Sequence, residues 1–338
     1  MDRELQQEAN GLERVAIIDC GTNTFSMIIV EVDGAEWSQR FMLRIPVFLG
    51  QGGFQMGCIR PDRFAKGIDA LRVMHQAAIN YGVQRVRVVG TSALRDAKNA
   101  KEFVQHVRDT LGWNLEIISG EEEAKLIHQG VQLTLNSLND PVLIMDVGGG
   151  SVEFILTART AQSWVPLWSR SVNAGVARLE EFGKPKDPLT PAGEERYRLF
   201  LESELSPIQE AIDQFQPSSL VGSSGVFDTL IDLVTGQLQL GQLETAGEEA
   251  PSDANRQVVE IDAQRLRVIH QALLVNDLEK RLAMKGMAPE RARMIPLSSM
   301  LVQHVFSMMP PNARVYRSPF AMREGILDSW VNGNGPSL

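Results

Sequence analysis

Two turns of the chain combine an aspartate with glycines, and these residues could do chemistry together. Asp19 opens the first turn (residues 19–24) and Asp146 opens the second turn (residues 146–151). The turns carry small and polar residues, namely Gly21, Thr22, Asn23, Thr24, Gly148, Gly149, Gly150 and Ser151. Glycines allow close approach of backbone N–H groups to a phosphate, and a divalent cation on Asp19 and Asp146 would offset their repulsion of it. The pattern therefore indicates a metal–phosphate site.

Two further features extend this pattern. Glu153 follows Asp146 by seven residues and could supply a second oxygen ligand or orient a water. A third turn (residues 222–225) also follows a short apolar run and reads Gly222, Ser223, Ser224 and Gly225. Each glycine turn alone is more often structural than functional. Three turns combined with acidic residues favour a site for phosphate and metal.

Two other segments place charged residues directly after predicted strands. Arg95 lies in the segment 90–97 and Glu123 in the segment 119–124. In open α/β sheets, ligands bind beyond the carboxyl ends of the strands, so both side chains are candidates for the site. Acidic residues also stabilise the first turn of a helix, which is the simpler interpretation of Glu121 and Glu122. Spacing alone does not separate Glu123 from these two neighbours.

Other common catalytic devices are absent from the sequence. No P-loop and no G-x-G-x-x-G dinucleotide motif occurs, and the five histidines are scattered without the spacing of a zinc site. No Gly-x-Ser-x-Gly motif occurs either. These absences leave the glycine turns as the candidate phosphate-binding elements.

The elements that must position these residues alternate between strands and helices. In the first half we predict strands at 15–18, 25–32, 86–90 and 115–119, with helices from Pro61, over 99–111 and from Glu121. In the second half we predict strands at 142–145 and near Val315, and helices from Thr190, from Ala263, from Leu297 and at 322–330. The helix from Thr190 is predicted to be a single helix that buries Phe200, Leu205, Ile208 and Ile212. The alternation predicts an α/β fold with partly parallel sheets.

The two halves also resemble each other. Residues 15–21 and 142–148 each read as four apolar residues, an aspartate, one variable residue and a glycine, and an apolar strand follows in both. Chance similarity is the alternative, because this ending is common for strands. The equal turn lengths favour duplication of one hairpin, and we expect two related domains that face each other across a cleft.

Composition restricts the class of protein. A length of 338 residues predicts about two domains, and a net charge of −9 argues against a general nucleic-acid partner. Cys20 and Cys58 fit a reducing cytosol, the N-terminal residues are too polar for a signal peptide, and no apolar stretch is long enough to span a membrane. We expect a cytoplasmic protein without a membrane partner. The acidic stretch 241–253 is predicted to be an exposed insert.

In the segments that contain the candidate site residues, and over nearly its whole length, the chain resembles the exopolyphosphatase / guanosine pentaphosphate phosphatase family. The matching segments are 19–24, 91–99, 117–124, 146–153, 174–179, 222–225 and 323–325. The resemblance implies an α/β fold of two actin-like (ribonuclease H-like) domains that face an interdomain cleft. The implied boundaries are 1–133 for the first domain, completed by 312–338, and 134–311 for the second.

The resemblance also implies roles for individual residues. Glu123 becomes the catalytic base, Arg95 holds the phosphoryl group, and Asp146, Glu153 and Asp19 manage Mg²⁺ or Mn²⁺. Phosphate binding is implied for Ser92 and for the three turns, including Gly222, Ser223, Ser224 and Gly225. A homodimer is also implied.

The implied activity is release of terminal phosphate from inorganic polyphosphate. Val152, Ser223 and Gln51 depart from the usual pattern of the family, which puts substrate choice and metal count in question. The chain also ends after the two domains, and its acidity predicts a weak pull on long polyanions, so we expect short substrates. One alternative is hydrolysis of guanosine pentaphosphate in the same site, and another is a catalytically weak regulator that binds either compound. An actin-like ATPase or a sugar kinase is a weaker alternative.

Overall fold

The computed structural model describes residues 12–34, 36–236 and 257–331. The acidic stretch 241–253 lies outside the described residues, as does the tail after residue 331. None of the described helices is both long and apolar enough to cross a membrane.

The first sheet has five strands, β1 to β5, in the order β3-β2-β1-β4-β5. Its strands are β1 Glu13–Cys20, β2 Thr24–Asp33, β3 Glu36–Pro46, β4 Arg85–Gly90 and β5 Leu115–Ile117. The helices of this half are α1 Pro61–Asn80, α2 Ser92–Asp96, α3 Ala100–Leu111 and α4 Gly120–Val131, followed by a 3₁₀ turn at Gln132–Thr134. α3 ends at Gly112, whose φ of 68° is a left-handed conformation that glycine adopts without strain.

The second sheet has six strands, in the order β10-β11-β9-β6-β7-β8. Its strands are β6 Val142–Val147, β7 Val152–Arg159, β8 Trp164–Val172, β9 Ser219–Ser223, β10 Val259–Ile261 and β11 Arg314–Arg317. The helices are α5 Val176–Gly183, α6 Pro191–Glu204, α7 Ser206–Phe215, α8 Ser224–Thr235, α9 Ala263–Val275, α10 Leu278–Leu282, α11 Ile295–Met308 and α12 Met322–Val331.

The internal similarity seen in the sequence extends to the topology. In the first half, β1 pairs antiparallel with β2 and parallel with β4. In the second half, β6 pairs in the same way, antiparallel with β7 and parallel with β9. The order β8-β7-β6-β9-β11 thus repeats β3-β2-β1-β4-β5. The predicted α/β fold with two related sheets is confirmed.

One predicted helix is divided in two. The sequence pattern predicted a single helix after Thr190, but α6 stops at Glu204 and α7 starts at Ser206, with a proline in its first turn. Proline lacks the N–H that would continue the hydrogen bonds of the preceding helix. Within α6, Tyr197 and Leu201 are buried, whereas the predicted core residue Phe200 is only partly buried.

Two helices from distant parts of the chain lie between the sheets. α4 and α12 pack on each other and share one apolar cluster with β1 and β2 of the first sheet and β6 and β7 of the second. α12 also contacts β1 of the first sheet, whereas β11 pairs with β9 in the second sheet. The domain boundaries, including the return of the C-terminal segment to the first domain, stay predictions.

Candidate active site

The two aspartates of the turns lie at equivalent positions, near the ends of β1 and β6. Asp19 pairs with Ser26 across the β1–β2 hairpin, and Asp146 pairs with Glu153 across the β6–β7 hairpin. The spacing of seven residues between Asp146 and Glu153 therefore brings two acids side by side on neighbouring strands. In the first hairpin the second acid is replaced by a serine.

A cavity of about 160 Å³ lies where the first and second turns meet. The sequence-predicted residues that line it are Asp19, Gly21, Thr22, Asn23, Thr24, Ser92, Glu123, Asp146, Gly148, Gly149, Gly150, Ser151, Ser224 and Gly225. Fourteen of the eighteen predicted positions thus come together from both halves of the chain. We refer to this space as the cleft cavity.

Side chains of the first turn hold polar atoms that have no partner. Asp19 Oδ1, Thr22 Oγ1 and Asn23 Oδ1 are buried and make no hydrogen bond within the described residues. The Asn23 Nδ2 group donates to Met294 Sδ of the second half at 3.5 Å. Buried polar atoms without partners are costly and uncommon, so three of them on one turn indicate that a ligand supplies their partners.

The acids near the second turn are held by serines. Ser223 donates its hydroxyl to Asp146 Oδ2 at 2.6 Å, and Ser171 donates to Glu153 Oε1 at 2.7 Å. The turn itself is fixed by the start of α5, where the Ala177 N–H donates to the Gly149 carbonyl at 2.7 Å. A side chain at Gly175 would collide with Gly149, so this close approach requires glycine.

Glu123 is separated from its acidic neighbours by its contacts. Ser119 caps α4 by accepting a hydrogen bond from the Glu122 N–H, which orients the first turn of the helix. Glu121 is exposed and Glu122 half-buried, whereas Glu123 is buried and lines the cleft cavity. Its carboxylate accepts a hydrogen bond from Arg95 Nη1 at 3.0 Å.

Arg95 connects this carboxylate to the second turn. Its Nη1 also donates to the Ile118 carbonyl at 3.1 Å, and its Nη2 donates to Ser151 Oγ at 3.5 Å. The guanidinium therefore lies between Glu123 of the first half and Ser151 of the second. It is 21% exposed, which leaves it accessible to a ligand.

Burial sets the protonation of the four acids. It raises the pKa of Asp19 to about 7, that of Asp146 to about 6 and that of Glu153 to about 7. The pKa of Glu123 is raised well above its usual value, first by burial and then by the nearby Glu153 charge, against the opposing effect of Arg95. Four crowded acids are costly as anions, and a cation in the cleft cavity would lower that cost.

The residues fit a magnesium ion that arrives with a phosphate. Among the described residues, no three histidine, cysteine or acidic side chains converge tightly enough to hold a metal alone. Mg²⁺ typically uses one or two carboxylates and completes its coordination with water and substrate phosphates. The unpartnered Asp19 Oδ1 and the Asp146 carboxylate in the cavity lining match that requirement.

The cavity also contains cations that sequence reasoning did not select as site residues. Arg44, Arg291 and Arg323 line it. Arg323 belongs to the segment 323–325, one of those that carry the family resemblance, so the sequence could have identified it. Arg44 lies in β3 and Arg291 in the loop before α11, and no sequence motif marks either residue. Arg323 Nη1 is buried and has no hydrogen-bond partner in the part of the chain that the structure describes, and burial lowers the pKa of its guanidinium.

The two halves touch at the edge of the second turn. Arg178 of α5 forms an ion pair with Asp96 of the first half and donates to the Gly150 carbonyl at 2.6 Å. Its guanidinium stacks over the Phe54 ring at 4.0 Å from the centroid. Arg178 was part of a matching segment in the sequence, but only the structure relates it to the opposite half.

Four predicted positions do not line the cavity. Arg95 contacts Glu123 and Ser151, which line the cavity, and Glu153 pairs across its hairpin with Asp146, which also lines it. Gly222 and Ser223 are the last two residues of β9 and do not line the cavity. A side chain at Gly222 would collide with the Phe227 ring, and the Ser223 hydroxyl donates to Asp146. The ligand-binding roles of all these residues stay predictions.

The amino-acid sequence matches a known protein family and is similar to named relatives. A model described as the Ppx/GppA phosphatase family matches residues 28–334. The chain is 30% identical to Exopolyphosphatase 2 of Mycobacterium tuberculosis, with 87% of this chain and 90% of the relative covered. It is 28% identical to Guanosine-5'-triphosphate,3'-diphosphate pyrophosphatase of Vibrio cholerae, with 94% of this chain but only 59% of that relative covered.

Solved structures share the fold. An exopolyphosphatase from Cytophaga hutchinsonii superposes with a TM-score of 0.84 at 27% identity, covering 95% of this chain and 98% of that one. A member of the Ppx/GppA family from Aquifex aeolicus superposes with a TM-score of 0.74 at 23% identity, covering 96% of this chain and all of that one. The two-sheet architecture is therefore that of experimentally determined structures.

Proposed function

We propose, from the premise that the chain belongs to the Ppx/GppA phosphatase family, that it releases terminal orthophosphate from short chains of inorganic polyphosphate. The observation that carries the proposal is the placement of Glu123. This buried carboxylate is bound to Arg95 and faces a cavity whose walls are the glycine turns of both halves. A base that lines the cavity, a guanidinium bound to that base and glycine turns around the cavity suit phosphoanhydride hydrolysis.

Glu123 acts on a water molecule in this proposal. Its carboxylate accepts a proton from the water while the water oxygen attacks the terminal phosphorus in line. The bond from that phosphorus to the bridging oxygen breaks, and orthophosphate and the shortened chain leave. Burial supports the assignment because it raises the pKa of Glu123 and makes the carboxylate a stronger base.

Arg95 and the turns bind the phosphoryl group. Arg95 would direct its guanidinium toward the transferring group from its position between Glu123 and Ser151. The Thr22 hydroxyl and the Asn23 amide oxygen have no partner among the described residues. In the proposal, these two oxygens would accept hydrogen bonds from waters bound to the substrate or would be ligands of its cation. Positioning and charge neutralisation are what a loose phosphoryl-transfer transition state requires.

Asp146, Glu153 and Asp19 would hold Mg²⁺ or Mn²⁺. When bound, such an ion neutralises charge on the phosphate oxygens. Support comes from the unpartnered Asp19 Oδ1 and from the pairing of Asp146 with Glu153 on neighbouring strands. Ser223 and Ser171 orient the latter two carboxylates from behind.

Guanosine pentaphosphate is the second candidate substrate. It is favoured by the similarity to the Vibrio cholerae relative, although the chain spans only 59% of that protein. The higher coverage of the exopolyphosphatase relative and the small cleft cavity favour short polyphosphate. A regulator that binds these compounds without turnover would not need a buried base at position 123.

The test compares phosphate release from tripolyphosphate, long polyphosphate and guanosine pentaphosphate, with Mg²⁺ and with EDTA. Glu123→Gln removes the base and is expected to lower kcat by about 10²–10⁴-fold. Glu122→Gln, one residue earlier on the same helix, is the matched control and should keep wild-type activity. Near-full activity of Glu123→Gln would overturn the assignment, and tight binding without any wild-type turnover would support the regulator instead.

A further inference from the structure

Arg44 belongs to a row of three residues that crosses the first sheet at the cleft cavity. Asp19 pairs with Ser26 across β1 and β2, and Ser26 pairs with Arg44 across β2 and β3. Directly paired residues on neighbouring strands direct their side chains to the same face of a sheet. All three residues line the cleft cavity. Arg44 therefore faces this cavity from the edge strand of the first sheet.

The equivalent row of the second sheet ends differently. It consists of Asp146, Glu153 and Ser171, and the Ser171 hydroxyl donates to Glu153 Oε1 at 2.7 Å. The third residue of that row therefore orients the second. In the first sheet the third residue is Arg44, which brings a positive charge to the cavity and is 20% exposed. The duplicated position has thus become a cation on one side of the cleft only.

The ion pair of Arg44 leaves donors available to a ligand. Its Nη1 lies 3.6 Å from Asp228 Oδ2, whereas Asp228 Oδ1 accepts a hydrogen bond from Arg317 Nε at 2.7 Å. Asp228 is thus bound more closely by Arg317, which does not line the cavity. A guanidinium carries five N–H donors, and one long ion pair satisfies few of them.

Arg323 brings a second guanidinium to the neighbourhood of Arg44. Its side chain is 10% exposed, and its Nη1 is buried without a hydrogen-bond partner among the described residues. Its ion-pair partner Glu324 lies 3.9 Å from Nη2. Burial lowers the pKa of Arg323, Glu324 raises it, and the charge of Arg44 lowers it again, because the two guanidinium groups lie near each other. An anion bound by both would reduce their repulsion and supply the missing acceptor.

We propose that Arg44 and Arg323 form a second anion subsite in the cleft cavity, which binds a phosphate group of the substrate other than the one that is transferred. Arg95 follows β4, whereas Arg44 lies on β3, so the two arginines enter from opposite sides of Asp19 on β1. β3 is two strands from β1, a distance of about 10 Å. The arginine pair would therefore hold a neighbouring phosphate while Arg95 holds the transferred one. This inference rests on the proposed function and adds to it a requirement for a second phosphate.

Isothermal titration calorimetry with tripolyphosphate and Mg²⁺ tests the subsite on the full chain. A Glu123→Gln background suppresses turnover during the titration. Arg44→Ala and Arg323→Ala should each raise the Kd about 10–100-fold, as expected for one lost hydrogen bond between charged groups. Because both residues would bind one anion, the double variant should lose less than the product of the two single losses. Arg40→Ala removes an arginine from the same strand outside the cavity and should change the Kd less than twofold.

Steady-state kinetics with Glu123 present give a second readout. Arg44→Ala should raise KM for tripolyphosphate about 10–100-fold and lower kcat less than threefold, because Arg95 still holds the transferred group. Arg44→Lys keeps the charge and should lose less than Arg44→Ala. Thermal melting confirms that each variant is folded. Where Arg323→Ala does not fold, the partly exposed Arg44 and its two variants decide the outcome.

Several results would overturn the subsite. They are no binding of tripolyphosphate, an unchanged Kd in Arg44→Ala, an equal loss in Arg40→Ala, and single losses that multiply in the double variant. A fall in kcat at constant KM in Arg44→Ala would also overturn it, because Arg44 would then act on the transferred group. A wild type that releases no phosphate would contradict the proposed function instead, since the Kd comparison is made without turnover.

Discussion

The first and second turns occupy equivalent places in two related sheets, but the polar side chains near them differ in whether they have hydrogen-bond partners. Asp19, Thr22 and Asn23 of the first turn each hold a buried polar atom that has no hydrogen-bond partner among the described residues. In the second half, Asp146 and its neighbour across the hairpin, Glu153, are each bound by a serine. The position of Glu153 is taken by Ser26 in the first hairpin.

This difference indicates how a duplicated scaffold acquires one asymmetric site. The second half supplies an oriented pair of acids, which favours a fixed site for a cation. The first half supplies side chains that remain free to meet the ligand, at a cost in stability that a bound ligand would recover. If the proposed function holds, the second half would orient the cation and the first half would recognise the ligand.

Glu153 is expected to give the largest effect, since it is the acid that only the second hairpin has. Glu153→Gln keeps an acceptor for Ser171 but removes the charge beside Asp146, and we expect kcat for tripolyphosphate to fall about a thousandfold with Mg²⁺ present. Ser26→Ala at the equivalent position should stay within threefold of wild type. Similar losses in both variants would show that the hairpins contribute alike.

Asp19 is expected to give a pH-dependent change in stability when no divalent cation is present. Its pKa is 3.8 in a peptide and about 7 in the fold. Below about pH 4 the carboxyl is protonated in both states; as the pH rises to about 7 only the unfolded state loses the proton, so stability is lost. Asp19→Asn avoids this loss, and its advantage over wild type should grow between pH 4 and 7 and then level off.

Urea unfolding with EDTA at several pH values measures this advantage, which is expected to rise by at most about 1.4 kcal/mol per pH unit. Asp146→Asn is the matched variant in the second half. Because the pKa of Asp146 is raised only to about 6, its advantage should level off about one pH unit earlier. An advantage of Asp19→Asn that is equal at pH 5 and pH 8 would contradict the burial of the charge.

The hydroxyls of the two halves should affect stability with opposite signs. Ser223→Ala leaves Asp146 Oδ2 without its donor and should lower the free energy of unfolding by about 1–3 kcal/mol. Thr22→Val removes a buried hydroxyl for which the described residues offer no partner, and should raise the free energy of unfolding by about 1 kcal/mol. Urea denaturation of ligand-free protein compares them, and a loss of stability in Thr22→Val would show that its hydroxyl is satisfied.

Asn23 is expected to give the smallest effect, confined to substrate binding. Gly150 occupies the equivalent place in the second turn, so Asn23→Gly makes the first turn resemble the second there. Loss of the amide should raise KM for tripolyphosphate about tenfold and change kcat little, as for one lost hydrogen bond to a charged ligand. Steady-state kinetics measure both, and a fall in kcat with constant KM would contradict a binding role.

Much of the site was predictable because it lies at the ends of strands. Glycine turns after apolar runs can be read from local sequence, and the matching segments identified Glu123 and Arg95 as candidates. At Gly222, only the structure shows that the glycine accommodates the Phe227 ring near the end of β9, because this packing is not a property of the local sequence. Arg44 and Arg291 were missed because they enter the cavity from elements without a motif.

The sequence by itself determined the α/β alternation, the repeated hairpin and the acids and glycines of the turns, because periodicity and turn chemistry are local properties. Only the tertiary structure decided which of three neighbouring acids is buried. Glu121, Glu122 and Glu123 are chemically identical and consecutive, and the packing of α4 between the two sheets buries Glu123 against Arg95 while Glu121 faces solvent. Burial and long-range pairing set basicity, and both depend on residues far away in the chain.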